Sequence, residues 1–319
     1  MKTNNYKLSL APIRGLTDAH FRSLFAQHFS GFDFSIAPFI NPQKKAELND
    51  KLLSDVLPEI NTVLPVIPQL LNSHAEDFVA LAHRLADFGY EEINWNLGCP
   101  APMVTRKKRG SGLLAHPEMI IELLEEIMPQ LKIKLSIKTR LGFSSVEQTQ
   151  ALLPKLDAFP LTEIIIHTRL GKQLYKGNTD PDSFAVCQQL TRHKLAYNGD
   201  IISLDGFNEL QKRFPTVEHW MIGRGALSNP FLPEEIKSCT QVKQSEKIVR
   251  LEAFHQELFA MYQERLSGAS HIIGRLKLLW QYMAQCLPEP EKSFKKIKKV
   301  SSEQKYTETI KLLFESAHG

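Results

Sequence analysis

The residue in this chain best equipped for chemistry is Cys99, in Asn94-Trp95-Asn96-Leu97-Gly98-Cys99-Pro100. Residues 91–96 alternate apolar and polar side chains and stop at Gly98, as a short strand does where it enters a loop. In parallel α/β folds, chemistry collects just past the C-terminal ends of strands. A lone cysteine is usually a small buried hydrophobe. The flanking amides of Asn94 and Asn96 and the basic run Arg106-Lys107-Lys108-Arg109 favour a functional thiol instead. Further polar groups fall at the ends of other predicted strands: Gln69, Lys138 with Arg140, His167 with Arg169, and Asn198 with Asp200. Each alone is weak, since a His or Lys at a strand end is more often structural. Together they form a pattern that accident explains poorly.

A fold must bring those strand ends to one place. Residues 7–11 read as a strand broken by Pro12, with Gly15 and then Thr17 or Asp18 as the cap of a helix over 19–28. Residues 33–37 form a second strand. Residues 63–71 form a third, interrupted by Pro65 and Pro68 and carrying Gln69. An amphipathic helix over 75–88, the Cys99 strand and a helix over 117–128 follow. The alternation continues with a strand at 132–138, a helix at 145–157, and strands at 163–166, 195–197 and 220–222. Eight strand candidates in about 240 residues, mostly separated by helices, predict an α/β fold of the TIM (β/α)8 barrel type. In such a barrel all eight ends open on one mouth. Asn198-Gly199-Asp200 and Gly223-Arg224-Gly225 follow strands seven and eight, where barrels commonly bind phosphate on backbone N–H groups. The plainer reading is that these glycines only make tight turns. With Lys138, the set suits an anionic, planar cofactor such as FMN lying across the mouth.

From about residue 241 only helical periods remain. Leu251, Phe254, Leu258, Tyr262 and Leu266 form one apolar stripe; Ile272, Leu276, Leu279 and Met283 form another. Residues 1–240 are therefore expected as the catalytic barrel and 241–319 as a small all-α helical domain. The net charge of +4 is uneven: residues 241–319 hold 13 Lys+Arg against 9 Asp+Glu, and residues 1–240 hold 26 of each. A basic segment, Lys292-Ser293-Phe294-Lys295-Lys296-Ile297-Lys298-Lys299, lies in that surplus and suggests a polyanionic partner. The four cysteines are far apart and form no CxxC pair, so neither a metal site nor a disulfide framework is expected. The polar start of the chain lacks a signal peptide's apolar core, and no apolar run approaches the roughly 18 residues of a membrane span. A cytoplasmic monomer is expected.

The ordered motifs make the chain resemble the tRNA-dihydrouridine synthases. The carrying segments are Ala11-Pro12-Ile13-Arg14-Gly15-Leu16-Thr17-Asp18, Asn96 to Pro100, Val104 through Gly110-Ser111-Gly112-Leu113-Leu114, Lys138-Thr139-Arg140, His167-Thr168-Arg169, Asn198-Gly199-Asp200-Ile201 and Met221-Ile222-Gly223-Arg224-Gly225. The resemblance implies an FMN enzyme that reduces uridines of tRNA, or another structured RNA, to 5,6-dihydrouridine with NADPH as reductant. It implies that Pro12, Ile13, Arg14, Gln69, Lys138, His167, Asn198, Gly199, Asp200, Gly223 and Arg224 hold FMN. Cys99 becomes the proton donor, and Asn96 helps to orient the uracil. Arg140 and Lys107 join it as substrate contacts, and Arg275, Lys295 and Lys296 meet RNA on the helical domain. Two residues depart from the family's pattern: Arg14 stands where a small or acidic residue is common, and Ile13 where Met is usual. A thiol of pKa about 8.5 is mostly protonated at neutral pH and can act as a general acid, whereas a nucleophilic role needs a lowered pKa, which Arg106 to Arg109 could provide. The base must leave its stack to react, which favours loops of folded RNA. Two other classes fit the same scaffold: an FMN barrel acting on a small molecule, and a non-catalytic RNA-binding protein.

Overall fold

The computed structural model describes residues 6–41 and 50–318; the polar residues 1–5 at the start of the chain lie outside them. Its strands are β1 (Lys7–Leu10), β2 (Phe34–Ile36), β3 (Val66–Ile67), β4 (Gln69–Leu70), β5 (Glu92–Leu97), β6 (Lys134–Gly142), β7 (Ile164–Leu170), β8 (Leu195–Asn198) and β9 (His219–Ile222). All neighbours pair in parallel, in the order β3-β2-β1-β9-β8-β7-β6-β5-β4. The two ends of that order, β3 and β4, are separated in sequence by Pro68 alone. Proline has no N–H to give to a ladder, so the strand expected over 63–71 is split in two there. The Pro68 carbonyl still accepts from the Asn94 N–H at 2.9 Å, and across the split Ile40 N–H donates to the Gln69 carbonyl at 2.7 Å. The nine strands thus make a nearly closed eight-position barrel of the expected TIM type.

The barrel's helices are α1 (Ala19–His28), α2 (Asp50–Leu53), α3 (Ala75–Asp87), α4 (Pro102–Thr105), α5 (Pro117–Ile127), α6 (Glu147–Leu156), α7 (Pro181–Gln189), α8 (Leu204–Arg213), α9 (Arg224–Ser228) and α10 (Leu232–Ser238). Most apolar side chains lie between strands and helices in one continuous core. The barrel's interior is separate and small, built on Ala11, Ile36, Ile165, Ala196 and Met221. Helices α7 and α8 bury few residues each (Phe184 and Cys187; Phe207) and so leave little apolar period in the sequence.

Four further helices follow: α11 (Gln244–Arg265), α12 (Ala269–Met283), α13 (Pro290–Lys299) and α14 (Glu303–His318). Helix α11 buries Leu251, Phe254, Leu258 and Tyr262 of the expected stripe, and α12 buries Ile272, Leu276, Leu279 and Met283. Phe254 docks on α1 and the residue after it, with edge-on ring contacts to Phe21 at 5.9 Å, Phe25 at 6.1 Å and Phe29 at 5.0 Å. Edge-on aromatic pairs fix geometry as well as burying area. The basic segment is part of α13, which buries Ser293 and Ile297 and turns its lysines outward. Among the described residues, no helix is long and apolar enough to cross a membrane.

Candidate active site

Register decides which side chains share the barrel mouth. Gln69 pairs with Asn94, and Asn94 with Ser136, in one row; Asn96 and Lys138 form the next. Arg140, His167, Asn198 and Met221 are successive partners across β6 to β9. Because side chains alternate along a strand, Lys138 and Arg140 share a face, as do Asn94 and Asn96. The amides interlock: Gln69 Nε2 donates to Asn94 Oδ1 at 2.8 Å, and Asn96 Nδ2 donates to Gln69 Oε1 at 2.7 Å. Asn94 Nδ2 continues the chain to Ser136 Oγ at 3.0 Å.

That network holds the cysteine loop. Asn96 Oδ1 accepts from the N–H groups of Gly98 at 3.0 Å and Cys99 at 2.8 Å, fixing the turn that presents the thiol. Arg140 Nε donates to the Gly98 carbonyl at 2.9 Å, and the Cys99 carbonyl accepts from Ser111 N–H at 3.0 Å and Ser111 Oγ at 3.1 Å. Gly110 has φ +54°, and a Cβ there would lie 2.6 Å from the Cys99 carbonyl oxygen, so only glycine fits. The thiol is half-buried. Burial pushes its pKa up; a backbone hydrogen bond at Ala101 and the charges of Arg140 and Arg14 pull the other way without cancelling it. Burial therefore favours the protonated thiol over the thiolate. The run from Arg106 to Arg109 does not set its state: Arg109 reaches away to Asn41 Oδ1 at 2.9 Å and Ser73 Oγ at 3.4 Å.

Across the mouth, Lys138 Nζ donates to Asn198 Oδ1 at 2.8 Å, and Asn198 Nδ2 donates to the Met221 carbonyl at 2.9 Å. Burial, with Arg140 nearby, pushes the Lys138 amine down to about 7. Burial first, and then the surrounding cations, hold His167 neutral, well below the ordinary histidine range. Arg140 is 1% exposed, and its Nη1 donates to the Leu170 carbonyl at 2.9 Å and the Leu174 carbonyl at 2.6 Å. It thus ties the cysteine loop to the loop after β7. Asp200, at φ +34°, is held by Arg169 on one side and by Arg224 Nη2 at 2.8 Å on the other. Among the described residues, Asp200 is the only carboxylate paired with any of Lys138, Arg140, Arg169 and Arg224. The mouth thus carries surplus positive charge and suits an anionic ligand. The turn glycines are needed for packing as well: a Cβ on Gly199 would sit 2.2 Å from Thr168 Oγ1, and one on Gly225 1.9 Å from the Ile201 carbonyl.

Ile13 lies beside Gly223, whose added Cβ would meet Ile13 Cδ1 at 3.7 Å, so the loop after β1 joins the mouth. Gln69, Asn96, Cys99, Lys138, Arg140, His167, Asn198, Asp200 and Arg224 meet there too. Lys107 is exposed on the loop after α4, and Lys295 and Lys296 are exposed on α13. Arg275, also expected to meet RNA, has its guanidinium on the Asp18 carboxylate and over the Tyr262 ring at 5.8 Å. One residue escaped the motif reading. Tyr175, 57% exposed, lies over the mouth with its ring 6.5 Å from His167, 5.2 Å from the Arg140 guanidinium carbon and 5.8 Å from that of Arg224. It sits in an irregular loop, where no periodicity marks it.

A family model described as dihydrouridine synthase matches residues 9–317. The tRNA-dihydrouridine synthase B of Proteus vulgaris is 31% identical over 249 residues, covering 74% of each chain. The tRNA-dihydrouridine(16) synthase of Haemophilus ducreyi is 28% identical over 306 residues, covering 92% of this chain and 90% of that one. Among solved structures, histamine dehydrogenase from Rhizobium sp. 4-9 superposes with a TM-score of 0.56 at 11% identity, over 80% of this chain and 50% of that one, a likeness of fold alone.

Proposed function

This chain belongs to the dihydrouridine synthase family, and from that premise we propose that it reduces a uridine of tRNA to 5,6-dihydrouridine, with FMN as cofactor and NADPH as electron donor. The observation that carries the reading is a half-buried thiol, Cys99, held by Asn96 and Arg140 at a mouth whose half-buried Lys138 has no carboxylate partner among the described residues. That donor set fits FMN, whose phosphate and reduced ring are both anionic. Pro12, Ile13, Gln69, Lys138, His167, Asn198, Gly199, Asp200, Gly223 and Arg224 would hold it. When bound and reduced, FMN supplies the hydride that adds to carbon 6 of uracil.

Cys99 then gives its proton to carbon 5, completing the addition of two hydrogens across the double bond. Burial suits the thiol to that task, because a group that resists ionisation keeps its proton until a strong base forms beside it. The thiolate left behind lies within the fields of Arg140 and Arg14. Asn96 has Oδ1 committed to the cysteine loop and one Nδ2 hydrogen to Gln69, which leaves one N–H for a uracil carbonyl. Arg140 acts as a positioning residue, since its donors go to backbone carbonyls around the thiol. RNA would dock on the helical region 241–319, with Lys295 and Lys296 in contact, and approach the mouth past Lys107.

The test is turnover of FMN-loaded protein on an unmodified tRNA transcript, with dihydrouridine quantified by mass spectrometry. Wild type forms it. Cys99→Ala keeps its flavin and loses roughly 10²–10⁴ of the rate of the chemical step. A protein that cannot take up FMN, or a Cys99→Ala variant with full turnover, sinks the reading. Flavin reoxidised by a small enone but not by RNA would instead make this a small-molecule reductase.

A further inference from the structure

Arg14 departs from its family's pattern, and its side chain does not turn into the barrel. It is exposed, with its guanidinium over the Phe39 ring at 5.5 Å. Phe39 and Asn41 flank Ile40, which is buried and bridges in parallel to Leu70 at the split strand. In an extended segment, residues two apart share a face, at a step of about 6.6 Å. Phe39 and Asn41 therefore point the same way, one carrying Arg14 and the other accepting from Arg109 at 2.9 Å. Among the described residues neither arginine has a carboxylate partner. Arg14 is near enough to the thiol to act on it electrostatically, and the backbone after Arg109, at Gly110, packs on the Cys99 carbonyl.

We propose that Arg14, Phe39 and Arg109 form a shelf on the rim of the mouth that receives the nucleotide next to the target base of the RNA substrate. The inference rests on the functional reading above, and it gives to the RNA the Arg14 side chain that the family resemblance assigns to the flavin. Extruding a base leaves its neighbour without a stacking partner. A guanidinium layered on an aromatic ring offers that neighbour a flat, cationic face, the kind of surface single-stranded RNA stacks on. Arg109, held on Asn41 one step along that segment, is placed for the adjoining phosphate. The shelf reads stacking and charge rather than sequence, so it serves uridines in different neighbourhoods.

The test measures equilibrium binding of an unmodified tRNA transcript to FMN-loaded protein across a potassium chloride series. Phe39→Leu keeps an apolar side chain and removes only the π-face; it weakens binding about 10-fold and leaves the salt slope unchanged. Arg14→Met and Arg109→Gln each weaken binding and flatten the slope of log affinity against log salt by about 0.7. All three keep their FMN, read by absorbance after gel filtration. Wild-type affinity in both Phe39→Leu and Arg14→Met overturns the shelf, and loss of FMN in Arg14→Met returns that residue to the cofactor. A wild-type protein that binds the transcript but forms no dihydrouridine removes the functional reading, while the shelf is still decided by binding.

Discussion

An ammonium group inside a barrel is costly unless something negative answers it, and among the described residues Lys138 has an amide oxygen, that of Asn198 at 2.8 Å, and no carboxylate. Its amine is accordingly held at about 7, so in the ligand-free protein it is mostly neutral at pH 8 and charged at pH 5.5. An anion placed against it favours the charged form and raises the pKa. The sign follows. FMN binding at pH 8 takes up about one proton, FMN affinity falls as pH rises above about 7, and at pH 5.5 Lys138 contributes no uptake. Titration calorimetry at pH 8 in two buffers of different ionisation enthalpy reads the uptake directly, and Lys138→Met should abolish it. Equal heats in both buffers would show that no anion meets this amine. At this scale the sequence marks which polar residues matter, because Lys138, Arg140, His167 and Asn198 share one mouth. It could not mark their states. Whether Cys99 is an acid or a nucleophile depends on how deeply the thiol is buried against how close Arg140 and Arg14 come, and both are set by residues distant in the chain.

Elements were legible where an apolar period ran unbroken, and misjudged where charge entered the pattern. β6 and β7 run on to Gly142 and Leu170, beyond the expected ends at 138 and 166, because Lys138, Arg140 and His167 take inward positions that a sequence assigns to loops. Thr17 and Asp18 were equal candidates for the cap of α1. Asp18 takes it, accepting from Phe21 N–H at 3.0 Å, since Thr17 Oγ1 is already used by Ile13 N–H at 2.8 Å. The second carboxylate oxygen of Asp18 holds Arg275 of α12, so the cap of α1 is also where the helical region is pinned beside the loop after β1. A basic residue's freedom depends on what packs against it, and here the partner lies 257 positions away. Asp18→Asn keeps an oxygen for the cap and loses the ion pair. A urea double-mutant cycle with Arg275→Met should give a coupling of up to about 1 kcal/mol, the scale of a partly exposed pair. Coupling indistinguishable from zero would mean that the pair does not pin the two elements.

For the molecule as a whole, the question is how a polyanion is brought to the barrel mouth. The barrel contributes balanced charge, and the whole +4 surplus lies beyond residue 240. Its densest part is α13, where Ile297 faces inward and Lys295, Lys296, Lys298 and Lys299 are exposed. None of these four has an ion-pair partner among the described residues, whereas Lys292 on the same helix pairs with Glu289 at 2.9 Å. Unpaired lysines on one helix are what a phosphate backbone replaces counterions on, and each contact made contributes somewhat under one unit to the salt dependence of binding. Replacing all four by Gln should therefore weaken tRNA binding at 0.1 M salt and flatten the slope of log affinity against log salt by about two to three units. Ile297 stays in place, so the fold should survive, with flavin content as its control. The same substitutions should raise the RNA concentration needed for half-maximal turnover more than they lower the limiting rate, because docking precedes chemistry and α13 holds no group of the mouth. An unchanged slope would move docking to the exposed residues around Lys107, nearer Cys99, and leave α13 a solvated basic face.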